Sequence, residues 1–343
     1  MAFDLHLDEA RWHDHLRRVT GQTDGLVPVI KGNGYGLGRD LLAEQSRELG
    51  ADLIAVGTYA EVPDALEHFD GSVMVLTPWR PFTTDVVVDD RVIHTVGRVE
   101  DIAQLAAAHP GARVIVEGET SMSRHGLDRH ELASAADALG GLVVEGFAIH
   151  LPMAGGNLHE AEQWAAVLET SRLDTTTLFV SHLTPDELVR LRERRPQLTV
   201  RPRIGTSLWL GDLGALEVRA TVLDRHFVER GERIGYRQRP VPRDGHVLII
   251  AGGTSHGVGL EAPRAVASPV ERGKTLAKGG LAATGRALSP FTIAGKQRWF
   301  AEPPHMQASM VLLPGDITAP EIGDTVPAAV RYTIATFDHI IRR

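Results

Sequence analysis

Val29-Ile30-Lys31-Gly32-Asn33-Gly34-Tyr35-Gly36-Leu37-Gly38 closes a short apolar run with one lysine and four alternating glycines. The run that leads into it, Leu26–Lys31, reads as a strand buried on both faces. The glycines that follow let the backbone turn and approach a ligand closely. A lysine at such a strand end is partly removed from water, which lowers its pKa and suits it to Schiff-base chemistry. The plain alternative is a strand-end lysine paired with an acid.

Working outward, seven more runs of the same kind follow: Asp52–Gly57, Ser72–Leu76, Val92–Val96, Arg113–Glu117, Leu142–His150, Thr177–His182 and Thr199–Gly205. Between them lie helical patterns at Arg39–Leu49, Val99–Ala108, His130–Leu139, Leu158–Ser171 and Pro185–Arg194. The helical pattern is weakest between the third and fourth strands, where Pro81 and β-branched residues intrude. Eight strands alternating with helices predict an α/β fold, a (β/α)8 TIM-type barrel. An open doubly wound sheet is the competing arrangement. In a barrel, chemistry sits at the C-terminal strand ends, where Lys31 falls.

After Gly211 the pattern changes. Strand-like runs bounded by Gly and Pro appear at Val218–Leu223, Arg233–Tyr236, His246–Ala251, Ser309–Leu313 and Ala328–Thr333. The expected organisation is a barrel over residues 10–216 and a C-terminal mainly-β domain over 217–343, joined by a strand within residues 1–9. Ala262–Arg286 is Gly/Ala-rich and reads as a long loop.

The chain has 343 residues and no cysteine, which removes disulfides, thiolate metal sites and cysteine nucleophiles. Lys plus Arg is 36 against 44 Asp plus Glu, a net charge of −8, which argues against nucleic-acid binding. No apolar run approaches a membrane-spanning length. The N-terminal MAFDLHLDEARWHDH lacks the basic and apolar regions of a signal peptide, so a cytoplasmic protein is expected. Histidine and carboxylate spacings define no metal site.

The Val29–Gly38 segment resembles the cofactor-lysine signature of the alanine racemase family, fold-type III pyridoxal-phosphate enzymes. Phe3–Asp8 resembles that family's opening strand. Arg203-Ile204-Gly205-Thr206 is similar to its segment beside the cofactor's ring nitrogen and phosphate, and Met306–Pro314 to a stretch of its second domain. Arg331-Tyr332 is similar to the segment whose tyrosine reaches the phosphate. The resemblance implies pyridoxal 5'-phosphate as cofactor, with Lys31 forming the internal aldimine and serving as one base. It implies that Tyr35, Ser181, His182, Gly205, Thr206 and Tyr332 seat the phosphate. It further implies that Arg203 donates to the ring nitrogen, that His150 stacks near the ring or orients Arg203, and that Arg124, in S-M-S-R-H-G-L, contacts the ring hydroxyl and the substrate carboxylate. An amino-acid-like substrate and a homodimer with shared active sites follow from the same resemblance.

The pattern breaks where the family places the second base of racemisation, a tyrosine from the neighbouring subunit. Ala251–Gly257 reads A-G-G-T-S-H-G, with no tyrosine. Thr254 and Ser255 are too weakly basic without an activating partner. His256 supplies an imidazole, the side-chain type most used as a general base; a turn histidine bonded to backbone is the alternative. Trp299–Met306, W-F-A-E-P-P-H-M, adds Glu302 and His305 on a proline-stiffened loop. Glu117 stands where many members have a carbamylated lysine, and Met306-Gln307 where they have Met-Asp. The expected function is a racemase or epimerase. The alternatives are a one-base lyase, dehydratase or decarboxylase on the same scaffold, or a non-catalytic cofactor-binding protein.

Overall fold

The computed structural model describes residues 2–260 and 287–343. The predicted loop at 262–286 lies outside the described residues. The chain divides into two compact units, one of Met1–Trp12 with Asp212–Arg343 and one of His13–Gly211.

The chain opens with β1 (Phe3–Leu7) and α1 (Glu9–Gly21). The barrel elements follow in order: β2 (Val27–Pro28), α2 (Arg39–Glu48), β3 (Leu53–Val56), α3 (Val62–His68), β4 (Ser72–Val75), β5 (Val92–Val96), α4 (Val99–Ala108), β6 (Arg113–Gly118), α5 (Leu132–Ala138), β7 (Val143–Ile149), α6 (Asn157–Thr170), β8 (Thr177–Val180), α7 (Pro185–Arg194), β9 (Thr199–Ile204) and the one-turn α8 (Thr206–Trp209). The second unit holds β10 (Leu216–Val228), β11 (Arg233–Ile234), β12 (Arg239–Pro240), β13 (Gly245–Ala251), β14 (Leu288–Ile293), β15 (Lys296–Phe300), β16 (Ala308–Pro314), β17 (Thr325–Pro327) and β18 (His339–Arg342).

Strands β2 to β9 form one eight-stranded sheet in the order β2-β9-β8-β7-β6-β5-β4-β3, parallel throughout. A parallel bridge between Val29 and Ala55 joins its two ends, so the sheet closes as the expected barrel rather than an open sheet. Val29 donates to Ile204 O at 2.9 Å and Ile30 to Ala55 O at 2.8 Å, so the strand before Lys31 is laddered on both sides. Side chains alternate across a strand, and one set fills the interior: Val27 and Val29, Leu53, Ala55, Met74, Ile93, Ile115, Ala148 and Phe179. Helix α7 shows why these segments are helical. Pro185 opens it, Thr184 and Glu187 form a reciprocal capping box, acids occupy its first turn and arginines its last, and Leu188 and Leu191 are buried. No helix forms between β4 and β5 among the described residues, in line with the Pro81 region.

In the second unit the sheet order is β14-β15-β16-β13-β10-β1-β18, with β17 also on β10. Strand β1 alternates cleanly: Phe3, Leu5 and Leu7 are buried, while Asp4 and His6 take the other face. The expected strand at Ala328–Thr333 is corrected. The ladder runs over Thr325–Pro327, and Ala328 adds only an isolated bridge to Phe291. A turn follows, in which Ile334 and Ala335 both donate to Arg331 O. Apolar residues alone do not hold a strand that no neighbouring backbone pairs.

Candidate active site

The barrel's period-two alternation carries each inward stripe from apolar to polar at the C-terminal strand ends. Val27 and Val29 lead to Lys31, Ile115 to Glu117, Ala148 to His150, and Phe179 to Ser181; Arg203 joins them from β9. Residues more than a hundred positions apart in sequence thus gather over one apolar plug.

Lys31 is open to solvent on one side and enclosed by protein on the other. That burial, together with Arg124 and Arg203, lowers its amine's pKa, and Glu61 works in the opposite direction. Arg203 is 7% exposed. Its Nη2 donates to Ile149 O at 2.9 Å, while its Nε has no hydrogen-bond partner among the described residues. Glu117 is buried more deeply still, and its Oε2 is also without a partner among the described residues. Burial raises the Glu117 pKa, against the pull of Arg203, Arg124 and Arg80.

His150 and Ser181 meet: Ser181 Oγ lies 3.1 Å from His150 Nδ1 and accepts from the Leu151 amide at 3.2 Å. Burial, and then the positive charges of Arg203 and Arg124, push the His150 pKa down to about 3. His150 is therefore uncharged at neutral pH and can accept the serine proton. His182 sits edge-on to it, 5.2 Å between centroids, and its pKa is lowered by burial and by Lys31. His182 has φ +56°, a left-handed backbone that Asn157 supports by donating to His182 O and Pro152 O, each at 2.9 Å.

Tyr35 is buried with φ +56°, inside a run where Gly34, Gly36 and Gly38 also take positive φ. Its hydroxyl lies against Gly205, where an added Cβ would stand 2.0 Å from Tyr35 Oη. Burial raises the tyrosine's pKa, so it stays protonated and can donate. Trp209 in α8 donates to Val29 O at 2.8 Å, tying the end of β9 to the lysine strand. Thr206 begins α8 and is exposed, and Arg124 is exposed on the loop after β6.

The remaining expected site residues lie in the second unit. His256 is 7% exposed, and both ring nitrogens are engaged. Gly253 N–H donates to Nδ1 at 3.3 Å, and Nε2 lies 3.2 Å from Asp338 Oδ1. His305 is half-buried, with Nε2 donating to Glu302 Oε1 at 2.6 Å and Nδ1 without a partner among the described residues. Glu302 is 4% exposed. The Tyr236 ring lies 4.8 Å from the His305 ring, and both line an open recess of about 680 Å³ with Thr254, Glu302, Met306 and Gln307. Tyr332 donates to Leu216 O at 3.5 Å, and burial pushes its pKa up to about 12. No cluster of three metal-ligating side chains occurs among the described residues, and no helix is long and apolar enough to cross a membrane.

The chain thus combines a parallel (β/α)8 barrel, with a lysine and a buried arginine at the C-terminal ends of its strands, and a second, mainly-β unit. The model of the alanine racemase N-terminal domain matches residues 8–196, more than half of the chain, and the chain belongs to that family. It is 24% identical to the alanine racemase of Campylobacter concisus over 139 residues, 40% of this chain and 39% of that protein. It is 27% identical to that of Helicobacter pylori over 152 residues, 42% of this chain and 40% of that protein. The matched part spans about two-fifths of these curated relatives. In structure the chain is similar to an alanine racemase from Bartonella henselae with covalently bound pyridoxal phosphate, with a TM-score of 0.71 and 16% identity over 97% of this chain and 91% of that one. It is similar in fold to a histidine racemase from Leuconostoc mesenteroides, with a TM-score of 0.70 and 16% identity over all of this chain and 97% of that one.

The residues present fit pyridoxal phosphate. A ring nitrogen can accept from the unpartnered, buried Arg203 Nε, and Lys31 offers a partly desolvated amine at the same barrel end. Sequence reading missed Glu61 and Asn157. Neither carries a motif, because each joins a nearby backbone group to one more than twenty residues away in sequence.

Proposed function

We propose that this chain is a pyridoxal-phosphate-dependent amino-acid racemase. The observation that carries the reading is the buried Arg203 Nε left without a partner in the barrel end that holds Lys31. When bound, the cofactor supplies an electron-withdrawing ring that acidifies the substrate's α-proton. Lys31 anchors the cofactor and serves as base on one face of the α-carbon; its lowered pKa increases the free-amine fraction near neutral pH. Arg203, donating from Nε, holds the ring nitrogen unprotonated, which makes the ring a weaker electron sink and puts more weight on well-placed bases. Ser181, His182, Gly205, Thr206 and Tyr35 serve the phosphate, and Arg124 the substrate carboxylate. His150 stays neutral and orients its neighbours.

The opposite face needs a second base. His305 suits it better than His256: Glu302 holds its Nε2 proton and leaves Nδ1 to exchange the substrate proton, whereas both nitrogens of His256 are taken. We assign His305 to a neighbouring copy in a homodimer whose β units complete each other's sites. The substrate is an α-amino acid, with alanine as the default. The missing tyrosine in Ala251–Gly257 favours one alternative, a one-base lyase, dehydratase or decarboxylase.

The test is an absorbance spectrum of the purified protein before and after Lys31→Ala, followed by α-proton exchange in heavy water across D- and L-amino acids. The cofactor band should vanish in the variant, and deuterium should enter product from either enantiomer. His305→Gln should confine exchange to one enantiomer, with cofactor affinity within about twofold of wild type. Release of a keto acid, aldehyde or amine would move the assignment to the one-base alternative. A spectrum with no cofactor band in the wild-type protein would end the reading.

A further inference from the structure

The turn that carries Lys31 is gripped at its backbone. Glu61 accepts from Gly32 N–H at 3.0 Å through one carboxylate oxygen and from Gly57 N–H at 2.7 Å through the other. One side chain thus ties the peptide after Lys31 to the end of β3. The carbonyl of Gly32 is held separately: Arg39 Nη1 donates to it at 2.6 Å, and Arg39 is paired with Asp64. Glu61 ends a helical turn, Tyr59–Glu61, that feeds directly into α3, and Asp64 lies in the first turn of α3. Pro63 stiffens that entry. The start of α3 therefore fixes the N–H and the C=O of the same glycine.

The carboxylate also adjoins the lysine itself. A Cβ placed on Gly57 would lie 3.1 Å from Lys31 Cβ and 3.2 Å from Glu61 Oε2, so only glycine leaves room for both. The charges acting on Lys31 come from several elements. Arg124 on the loop after β6 and Arg203 on β9 are cationic, and His150 and His182, after β7 and β8, are held uncharged beside it. Glu117 acts on the two arginines, and Glu61 is the carboxylate that acts on the lysine.

We propose that Glu61 is a positioning residue for Lys31, clamping the lysine's turn to β3 and balancing the arginine charge around its amine. The proposal deepens the racemase reading and rests on it for its catalytic meaning, although its physical content concerns Lys31 alone. A carboxylate that accepts two amide protons makes charge-assisted bonds, so it anchors the turn better than a neutral acceptor. The same negative charge favours the protonated amine against burial and the arginines.

The experiment is pH-dependent acylation of the full-length chain freed of cofactor, read by peptide-resolved mass spectrometry, with exposed Lys296 as internal reference. Glu61→Gln should shift the Lys31 labelling profile to lower pH, so that Lys31 labels about three- to tenfold faster than wild type at neutral pH. Glu61→Asp, which retains the charge, should move the profile back towards wild type and also guards against a misfolded Gln variant. Asp64→Asn loosens Arg39 without touching the charge beside the amine, and should leave the profile where it is. A Glu61→Gln profile that superimposes on wild type, or an equal shift in Asp64→Asn, overturns the proposal. Adding pyridoxal phosphate to wild type should protect Lys31. If it does not, the cofactor reading fails while the Glu61 result is judged on its own.

Discussion

At the scale of single residues, the barrel end shows how little freedom the key side chains have. Tyr35 is buried, left-handed in backbone and flanked by glycines. Gly205→Ala would place a methyl group 2.0 Å from Tyr35 Oη and 3.4 Å from Val29 Cβ. Overpacking of that kind costs about 1–3 kcal/mol. We expect a lowered urea midpoint at unchanged m-value and a cofactor dissociation constant raised severalfold. Wild-type values for both would show that the tyrosine moves aside freely. Lys31 stood out in the sequence as a lysine ending an apolar run before alternating glycines, whereas Arg203 and His150 entered only through the family resemblance. Glu61 was not legible, since an isolated acid before Val-Pro has no periodic signature, and its bond to the lysine's turn, at Gly32, spans 29 residues.

At the scale of elements, the loops that follow β7 and β8 depend on the first residue of α6. Asn157 is buried and donates to carbonyls in both loops, at Pro152 and at His182. Asn157→Ala leaves two carbonyls short of a donor, a loss of about 1–3 kcal/mol. Deuterium exchange read by mass spectrometry should quicken about tenfold or more at residues 181–184 and stay near wild type across α4. Uniformly unchanged exchange would mean that the left-handed His182 needs no such support. The barrel strands were readable as elements because burial on both faces makes them continuous apolar runs. The second unit was less so. Its short strands β14, β15, β17 and β18 depend on cross-strand partners, and Ala328–Thr333 looked like a strand yet lacks a continuous ladder.

At the scale of the whole molecule, buried neutral histidines set the response to pH. The His150 pKa is pushed to about 3 by burial and neighbouring cations, and that of His94, bonded to Tyr59 at 2.9 Å, to about 4, chiefly by burial. Both lie below the unfolded histidine value of about 6.5, so the unfolded chain binds more protons between these limits. Their contribution is complete above about pH 6.5 and is lost as pH falls towards the folded values, with a slope of at most about 1.4 kcal/mol per pH unit for each histidine. Urea unfolding followed by tryptophan fluorescence from pH 7.5 to 4.5 should show stability falling with acid over this window. A flat profile would contradict the neutral burial of these rings.

The sequence by itself determined the barrel, the position of the lysine at a strand end and the absence of the family's tyrosine from the second unit. Each of these follows from local pattern: period two, glycine punctuation and residue identity in a short turn. Tertiary structure decided which polar groups face one another. It left Arg203 Nε unpartnered, closed both nitrogens of His256, freed one nitrogen of His305 and brought Glu61 to the lysine's turn. The physical reason is that hydrogen bonding and charge depend on distance in space, and strands far apart in sequence set those distances only once the sheets have formed.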